Sequence, residues 1–508
     1  MASSPTKSNA TFYITTAIDY PSGKPHIGHA YEKITADVIA RWQRLRGADV
    51  LFVTGTDEHG QKIEKYARQN NTTPPAFVET MSSQFAQLCR ELHISNDDFI
   101  RTTQPRHERV AAEFFQRIQQ HGDIYPGTYE GFYCVDCEAF FLERDLQNGN
   151  CPVHAKPAEW VQEQGFFFRM SAYQERVLAH IEAHEDFILP RQRRAEIINR
   201  IKEGVRDLSV SRSNFTWGIP VPGHPQQVIF VWFDALLNYI SVLEWPDGGR
   251  FKKFWPADIH VIGKDILWFH AMVWPAMLLA AGLPLPRSLG VHGFINFAGE
   301  KISKSKGVTV DPRELARKYG ADSLRYFLLR DVAFGEDGNF SEAALIRRIN
   351  SDLANDLGNL VFRTSAMVEK YVLGVKPMGL QTQDTIALLG QADGLAAAVA
   401  KGMADYNFSS ALAKIWEVIN AANKHVEETK PWVLAKEGKT AAVNDFLFSL
   451  VYALRKIQQQ LEPFLPDTAG KIKDQLQQER LVKTIPLFPR IEDEDAVGQA
   501  AGRKPGAA

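Results

Sequence analysis

Near the N-terminus an apolar run, a helical period and a second apolar run follow one another, and that order constrains the fold of the 508-residue chain most. Phe12 to Ile18 is rich in β-branched and aromatic residues and is predicted to be a strand. A turn follows at Pro21-Ser22-Gly23-Lys24-Pro25. Ile34, Val38, Ile39, Trp42 and Leu45 then share one face of a helix, which Gly47 stops. Val50 to Thr54 is a second apolar strand, ending in Gly55-Thr56-Asp57-Glu58-His59-Gly60, and another helix starts near Gln61. A β-α-β-α order predicts a parallel sheet with helices on its faces. Ligands bind beyond the carboxyl ends of the strands in such sheets. His26, His29, Asp57 and His59 all fall just after strand ends.

The pattern changes from about Tyr125 to Phe215, where short aromatic strands, Gly/Asn turns and cysteines replace the βα alternation. This stretch is expected to be an insertion. The α/β pattern resumes at Val228 to Phe233 and continues with His260-Val261-Ile262-Gly263, a helix from Ile266, and Leu289-Gly290-Val291. After Ser341 the chain is expected to be almost wholly helical to about Gln478. Ala411, Ile415, Val418 and Ile419 have helical spacing, as do Phe446, Leu450, Leu454 and Ile457, which predicts a helical bundle. The tail from about Ile491 is charged, then rich in Gly and Ala, and is expected to be disordered. No internal repeat is visible.

Composition bounds the function. At 45% hydrophobic and 23% charged the chain is an ordinary soluble globular protein, long enough for roughly three to four domain-sized units. A formal net charge of −2 excludes a global basic field, so nucleic acid would have to be held by local patches. Arg191, Arg193, Arg194, Arg200 and Lys202 form one such cluster, or else one solvated helix face. Residues 1–10 lack the apolar core of a signal peptide. The longest apolar stretch, Ala271 to Leu283, is broken by Pro275 and is too short to span a bilayer.

Three of the four cysteines fall in one short stretch. Cys134-x-x-Cys137 followed by Cys151-x-x-His154 offers four soft ligands in two close pairs, the spacing of a closed, tetrahedral structural zinc site. Such clustering argues for a metal in a reducing compartment rather than disulfides, and the expected location is the cytoplasm, with no membrane association. Cys89 is left over and is expected to be a buried thiol.

Two further signatures carry chemistry. In His26-Ile27-Gly28-His29 two imidazoles stand one helical turn apart at a helix start, where side-chain and backbone N–H groups favour phosphate oxygens. Gly28 leaves room for a nucleotide, and Pro25 stiffens the entry. Two such histidines also occur as surface residues or as half a metal site. In Lys301-Ile302-Ser303-Lys304-Ser305, bounded by Gly299 and Gly307, lysines and hydroxyls share a glycine-flanked loop. Such a loop is either a solvated basic turn or a closing segment whose ammoniums neutralise charge on a leaving pyrophosphate. No Walker-type loop is present.

These two signatures, in this order on a split α/β domain, resemble those of class I aminoacyl-tRNA synthetases, and within that class the methionyl family. Thr54 to Gly60, Phe230-Val231-Trp232-Phe233-Asp234-Ala235, Gly263-Lys264-Asp265-Ile266, Val291-His292-Gly293 and Lys430-Pro431-Trp432 are similar to that family's blocks. The resemblance runs from about Thr11 to about Leu461. It implies a Rossmann-like parallel-sheet catalytic domain with a zinc-knuckle connective insertion, followed by an all-α anticodon-binding bundle. The corresponding divisions are a flexible 1–10, catalytic halves at 11–122 and 221–298, the insertion at 123–220, a lysine-loop and stem-contact region at 299–345, the bundle at 346–490 and a flexible tail at 491–508.

The resemblance also implies activation of L-methionine with ATP and Mg2+ to methionyl-AMP, then transfer to initiator and elongator tRNA(Met). It assigns His26, His29, Lys301 and Lys304 to catalysis. ATP would contact these together with Gly28, Gly263, Asp265, Ser303 and Ser305. Asp57 would pair with the methionine ammonium, a charge-assisted contact. Ala17, Ile18, Tyr20, Trp232, Ala235, Tyr239, Phe269, His270 and Trp274 would line the side-chain pocket, where aromatic rings suit a thioether and Tyr20 or His270 could reach the sulfur. Asn359, Arg363 and Trp432 would read the anticodon, and Cys134, Cys137, Cys151 and His154 would hold one structural Zn2+.

Ile302 replaces the family's usual methionine, and Asp19 and Leu236 stand where other members often differ. The large editing insertion of the isoleucyl, valyl and leucyl relatives is lacking, and the metal ligands are clustered rather than dispersed as in the cysteinyl enzyme. A non-catalytic tRNA-binding paralogue is the remaining alternative, against which the intact histidines and lysines argue. A monomer is expected, since no C-terminal dimerising β domain follows the bundle.

Overall fold

A computed structural model of the chain describes residues 10–134, 139–141, 143–152, 155–297, 300–301, 310–379 and 382–492. They divide between two compact units, within Met1–Phe294 with Ser303–Pro312 and within Ile295–Ile302 with Arg313–Ala508. Val135, Cys137, His154, Ser303, Lys304 and Ser305 lie outside the described residues.

The first unit is built on β1 (Thr11–Thr16), β2 (Asp49–Thr56) and β3 (Asp98–Arg101). Ile259–Gly263, Leu289–His292 and Ile188–Leu189 complete a six-stranded sheet in the order β3, β2, β1, Ile259–Gly263, Leu289–His292, Ile188–Leu189. Every pairing is parallel. β2 is buried from Val50 to Thr56, as a parallel sheet covered on both faces requires. The connection between β1 and β2 is α1 (Ile27–Leu45), which ends where Gly47 takes φ +88°. Gly55 is fixed by packing: a Cβ there would lie 1.9 Å from the Ile100 carbonyl oxygen of β3.

Three departures from the sequence pattern have local causes. Val228 to Phe233 does not extend the parallel sheet. His224–Ile229 pairs antiparallel in a separate three-stranded sheet, and a short helix starts at Val231. Ile188–Leu189, within the stretch read as an insertion, returns to the main sheet as its edge strand. The helix expected from Ile266 is broken into a 3-10 turn (Lys264–Ile266), a π turn (Phe269–Val273) and an α-helix (Trp274–Ala280) with Pro275 in its first turn. The insertion itself is a four-stranded antiparallel sheet dominated by Ile124–Cys134 against Glu159–Phe168.

In the second unit Ile295–Phe297 pairs antiparallel with Glu300–Lys301 and parallel with Gly338–Phe340. Helices then run from Glu342 to Gln477, longest at Gln383–Ala404, Phe408–Thr429 and Thr440–Leu461. Ile415, Ile419, Leu450, Leu454 and Ile457 are buried, as their spacing predicts. Arg325 is buried in this unit, where its guanidinium donates to the Phe464 (2.8 Å) and Pro463 (3.0 Å) carbonyls.

Candidate active site

His26 is the N-cap of α1 in extended conformation (φ −129°, ψ 174°). Its Nδ1 accepts the Gly28 amide at 3.2 Å, and the His26 amide in turn donates to His29 Nδ1 at 3.0 Å. Both Nδ1 atoms are therefore acceptors, so in the neutral rings each proton sits on Nε2. The helix start thus presents two imidazole N–H donors, with ring centroids 3.7 Å apart, beside the positive end of the helix dipole. Phe85 packs edge-on against His29. A Cβ at Gly28 would come within 3.1 Å of the His26 ring, so the glycine also sets where that imidazole lies.

The loops after β1 and β2 are tied together beyond the sheet. The Asp19 amide donates to the Gly55 carbonyl (2.9 Å), and the Asp57 amide donates to the Asp19 carbonyl (2.8 Å). Asp57 is thereby held, nearly buried, at the carboxyl end of β2. Its neighbour Glu58 is locked by Arg101 at 2.7 and 3.1 Å and by the hydroxyls of Thr56 and Thr103.

His59 Nδ1 meets Asp234 Oδ2 at 2.7 Å. The other carboxylate oxygen takes His107 Nε2 at 2.6 Å, and His107 Nδ1 reaches Ser241 Oγ at 2.8 Å. All four side chains are buried. Burial works to raise the Asp234 pKa, but His59 and His107 hold it down to about 2. Burial works equally against charging His59, and the Asp234 carboxylate outweighs it, so the His59 pKa is raised.

The aromatic residues expected around a thioether sit on the short helices that follow. Trp232 and Phe269 are stacked, 3.8 Å between centroids and 6° from parallel. Tyr239 lies 5.8 Å from Trp274. His270 Nδ1 donates to the Ile266 carbonyl (3.0 Å), which leaves Nε2 to accept the Tyr239 hydroxyl proton at 2.7 Å. Burial lowers the His270 pKa to about 4, so the ring is neutral. The Tyr20 hydroxyl donates to the His59 carbonyl at 2.9 Å. Both groups expected to reach a sulfur thus have their protons engaged within the protein. Ala17 packs on the main core and Ile18 on the core beneath β1, while Ala235 is buried in the turn after Trp232.

On the far side of α1, Gly263 ends its strand, and a Cβ there would lie 2.8 Å from Asp265 Oδ1. His292, at the end of the next strand, faces the Gly293 carbonyl with Nδ1 (2.8 Å) and Glu32 Oε2 with Nε2 (3.1 Å). Two acceptors favour a ring with both nitrogens protonated. Burial opposes that charge, but Glu32 raises the pKa. The structure therefore brings His26, His29, Asp57, Gly263 and Asp265 to the carboxyl ends of the parallel strands.

Sequence reading did not single out Glu32, Lys33, His107 or Asp234 as functional, although Asp234 lay in a quoted block. Glu32, His107 and Asp234 meet partners remote in sequence, and Lys33 pairs with Asp19 of the preceding loop, so none leaves a local pattern.

Other expected residues lie elsewhere or outside the described set. Lys301 has its backbone in the short strand paired with Asn296. Cys134 and Cys151 are both buried thiols, Cys134 at the end of a strand and Cys151 in a turn closed by the Ala155 amide at 2.8 Å. With Cys137 and His154 not described, no group of three metal-ligating side chains is found among the described residues. Asn359 is exposed at the start of helix Asn359–Val372, and Arg363, one turn on, pairs with Glu427 at 2.6 Å. Trp432 is 38% exposed on helix Pro431–Lys436.

Comparison with known proteins agrees with this geometry. Residues 12–158 and 142–365 match the model for tRNA synthetases class I (M), and residues 386–503 match the anticodon-binding domain of tRNA ligase. The chain is 50% identical over 470 residues to the methionine–tRNA ligase of Caldanaerobacter subterraneus, covering 92% of this chain and 74% of that one. It is 45% identical over 476 residues to that of Rhizobium meliloti, covering 92% of each. The crystal structure of Mycobacterium tuberculosis methionyl-tRNA synthetase bound by methionyl-adenylate superposes with a TM-score of 0.91 at 42% identity, covering 94% of this chain and 100% of that one. By sequence and by fold, the chain belongs to the methionyl-tRNA synthetase family of class I.

Proposed function

We propose that this chain divides its methionine–tRNA ligase activity among the residues described above. The reaction has two steps. A methionine carboxylate oxygen attacks the α-phosphorus of ATP, and the bond to the β-phosphate bridging oxygen breaks, releasing pyrophosphate. The methionyl-AMP carbonyl is then attacked by a ribose hydroxyl of the terminal tRNA adenosine, and AMP leaves.

One observation carries the assignment: both imidazoles of the helix start have Nδ1 occupied by a backbone amide, which puts each ring proton on Nε2, the atom suited to donate to phosphate oxygens. Asp57 anchors the methionine ammonium, which fixes the carboxylate for in-line attack. Trp232, Phe269, Tyr239 and Trp274 surround the thioether, with Ala17, Ile18, Tyr20, Ala235 and His270 completing the pocket. Gly263 and Asp265 take the ribose, the carboxylate accepting from its hydroxyls. Lys301 and Lys304, with Ser303 and Ser305, stabilise the leaving pyrophosphate. Asn359, Arg363 and Trp432 read the anticodon of initiator and elongator tRNA(Met).

Mg2+ accompanies ATP as the counter-ion of its phosphates. Zinc is proposed for Cys134, Cys137, Cys151 and His154. The two described thiols fit it, being soft donors that are buried and carried by a strand end and a tight turn. Bound there, the ion would cross-link the insertion. A cytoplasmic, monomeric enzyme is part of the same proposal, supported by thiols grouped for metal rather than disulfides. Among the described residues no helix is long and apolar enough to cross a membrane.

Methionine-dependent ATP–pyrophosphate exchange tests the first step. The purified chain is expected to exchange with methionine and not with isoleucine, leucine, valine or cysteine. His26→Ala and His29→Ala are each expected to slow exchange about 10²-fold or more, the scale of one lost transition-state donor. Absence of exchange with every amino acid would leave a tRNA-binding protein.

A further inference from the structure

The helix that carries His26 and His29 also carries Lys33, whose side chain is fully buried. Its ammonium lies 2.6 Å from Asp19 Oδ2 and 3.8 Å from Glu32 Oε1. The second Asp19 oxygen, Oδ1, lies 4.0 Å from His29 Nε2, the atom that bears the donor proton. Asp19 cannot drift, because its amide and carbonyl are bonded to Gly55 and Asp57. Glu32 in turn meets the His292 ring at 3.1 Å. Charges of alternating sign therefore run beside the first turns of α1, from Asp19 through Lys33 to Glu32, with the His29 ring next to Asp19 and His292 next to Glu32.

A carboxylate this close to His29 is hard to reconcile with a triphosphate site unless something cancels it. An isolated anion there would repel ATP, and the low dielectric of a buried site would strengthen the repulsion. We propose that Asp19 and Lys33 are a positioning pair for ATP: Asp19 guides the His29 ring through its charge, 4.0 Å from Nε2 and too far to take the proton that phosphate accepts, and Lys33 cancels the charge of that carboxylate. The proposal rests on His29 being a phosphate donor. Neither residue touches substrate, so their effect passes through His29 and the local field.

Among the described residues, groups from three elements face this pair. They are His29 and Glu32 on α1, the backbone of the Asp57 loop, and the Cys89 thiol on helix Pro74–Glu91. Burial pushes the Cys89 pKa up to about 12, so that thiol is neutral and the charge against Asp19 in this group is the Lys33 ammonium. Removing the ammonium takes an opposite charge away from a buried carboxylate, which disfavours its ionised form.

The test uses the full chain, with Lys33→Met, Asp19→Asn and the double variant compared in methionine-dependent ATP–pyrophosphate exchange and in thermal melts. Lys33→Met is expected to raise KM for ATP about tenfold or more near pH 8 and to leave KM for methionine within about threefold. Relative to wild type, that ATP defect is expected to shrink as the pH is lowered, the direction that neutralises a carboxylate. The double variant, with neither charge, is expected to recover KM for ATP to within about threefold while kcat stays several-fold low, since His29 has lost its guide.

A pair that merely holds the fold would instead lower the melting temperature, move both KM values and kcat together, show no pH trend and gain nothing in the double variant. That pattern overturns the proposal. If Lys33→Met does not fold, Asp19→Asn and the double variant still decide: low kcat with near-normal KM for ATP supports the proposal, and unchanged kcat overturns it. His29→Ala separates the two layers. Exchange unaffected by His29→Ala removes the phosphate-site reading itself, whereas exchange lost in His29→Ala but untouched in Lys33→Met removes only the pair.

Discussion

Asp234 shows how one buried carboxylate can set the state of a histidine remote in sequence. Its carboxylate is shared by His59 and His107, and none of the three has solvent to fall back on. Asp234→Asn is expected to lower unfolding free energy by about 3–5 kcal/mol near pH 5–6, the usual cost of removing one member of a buried pair. The pH dependence follows from the two shifts. With its folded pKa down at about 2, Asp234 contributes stability above its unfolded value of about 3.9, which is lost as pH falls through about 2. With its folded pKa raised, His59 contributes fully below about 6.5 and loses that contribution as pH rises through the folded value. The gap between wild type and variant in denaturant melts should therefore be widest between about pH 4 and 6.5 and narrow on either side. A gap that is flat with pH would mean the pair is not ionised. His26, His29 and Asp57 were legible in the sequence because they follow strand ends. Asp234 and His107 were not, since Asp234 meets partners 175 and 127 residues away and no spacing announces that.

At the scale of elements, periodicity found what periodicity controls. β1, α1, β2 and the bundle helices stand where alternation and helical spacing placed them, because each must bury one face or both. The edge strand Ile188–Leu189 is too short to carry a pattern, and the π turn at Phe269–Val273 follows from a proline one turn ahead rather than from any apolar spacing. The insertion is the element whose integrity depends most on chemistry. Its long hairpin ends at Cys134, and the turn bearing Cys151 is closed by two backbone bonds, Cys151 to Lys156 and Ala155 to Cys151. Small β-structure of this kind gains most from a metal cross-link, because ligand binding is coupled to folding. The purified protein is therefore expected to hold about one zinc per chain by elemental analysis. Chelation should expose the insertion to limited proteolysis and lower the melting temperature. Cys137→Ser should do the same. A metal-free chain with an unchanged melt and unchanged exchange would eliminate the knuckle.

At the scale of the whole molecule, the proposed reaction has two steps that can be tested apart: amino-acid activation needs methionine and ATP, whereas charging also needs the correct tRNA. In the helical unit Trp432 is 38% exposed on the first turn of a short helix that begins at Pro431, after Lys430 in the left-handed region at φ 49°. The exposed part of the ring is available for a base to stack on. Arg363, one helical turn from exposed Asn359, holds Glu427 and has an alternative use for its guanidinium when a base edge arrives. Stacking of one base on an aromatic ring contributes about 1–3 kcal/mol, so Trp432→Ala should cut kcat/KM for tRNA(Met) by roughly 5- to 150-fold. The same variant should leave methionine-dependent ATP–pyrophosphate exchange and the melting temperature unchanged, because neither substrate of the first step depends on that helix. Measuring both activities on one preparation makes the comparison internal. A parallel fall in exchange would place Trp432 in the fold rather than in recognition, and undiminished charging would remove it from the anticodon site.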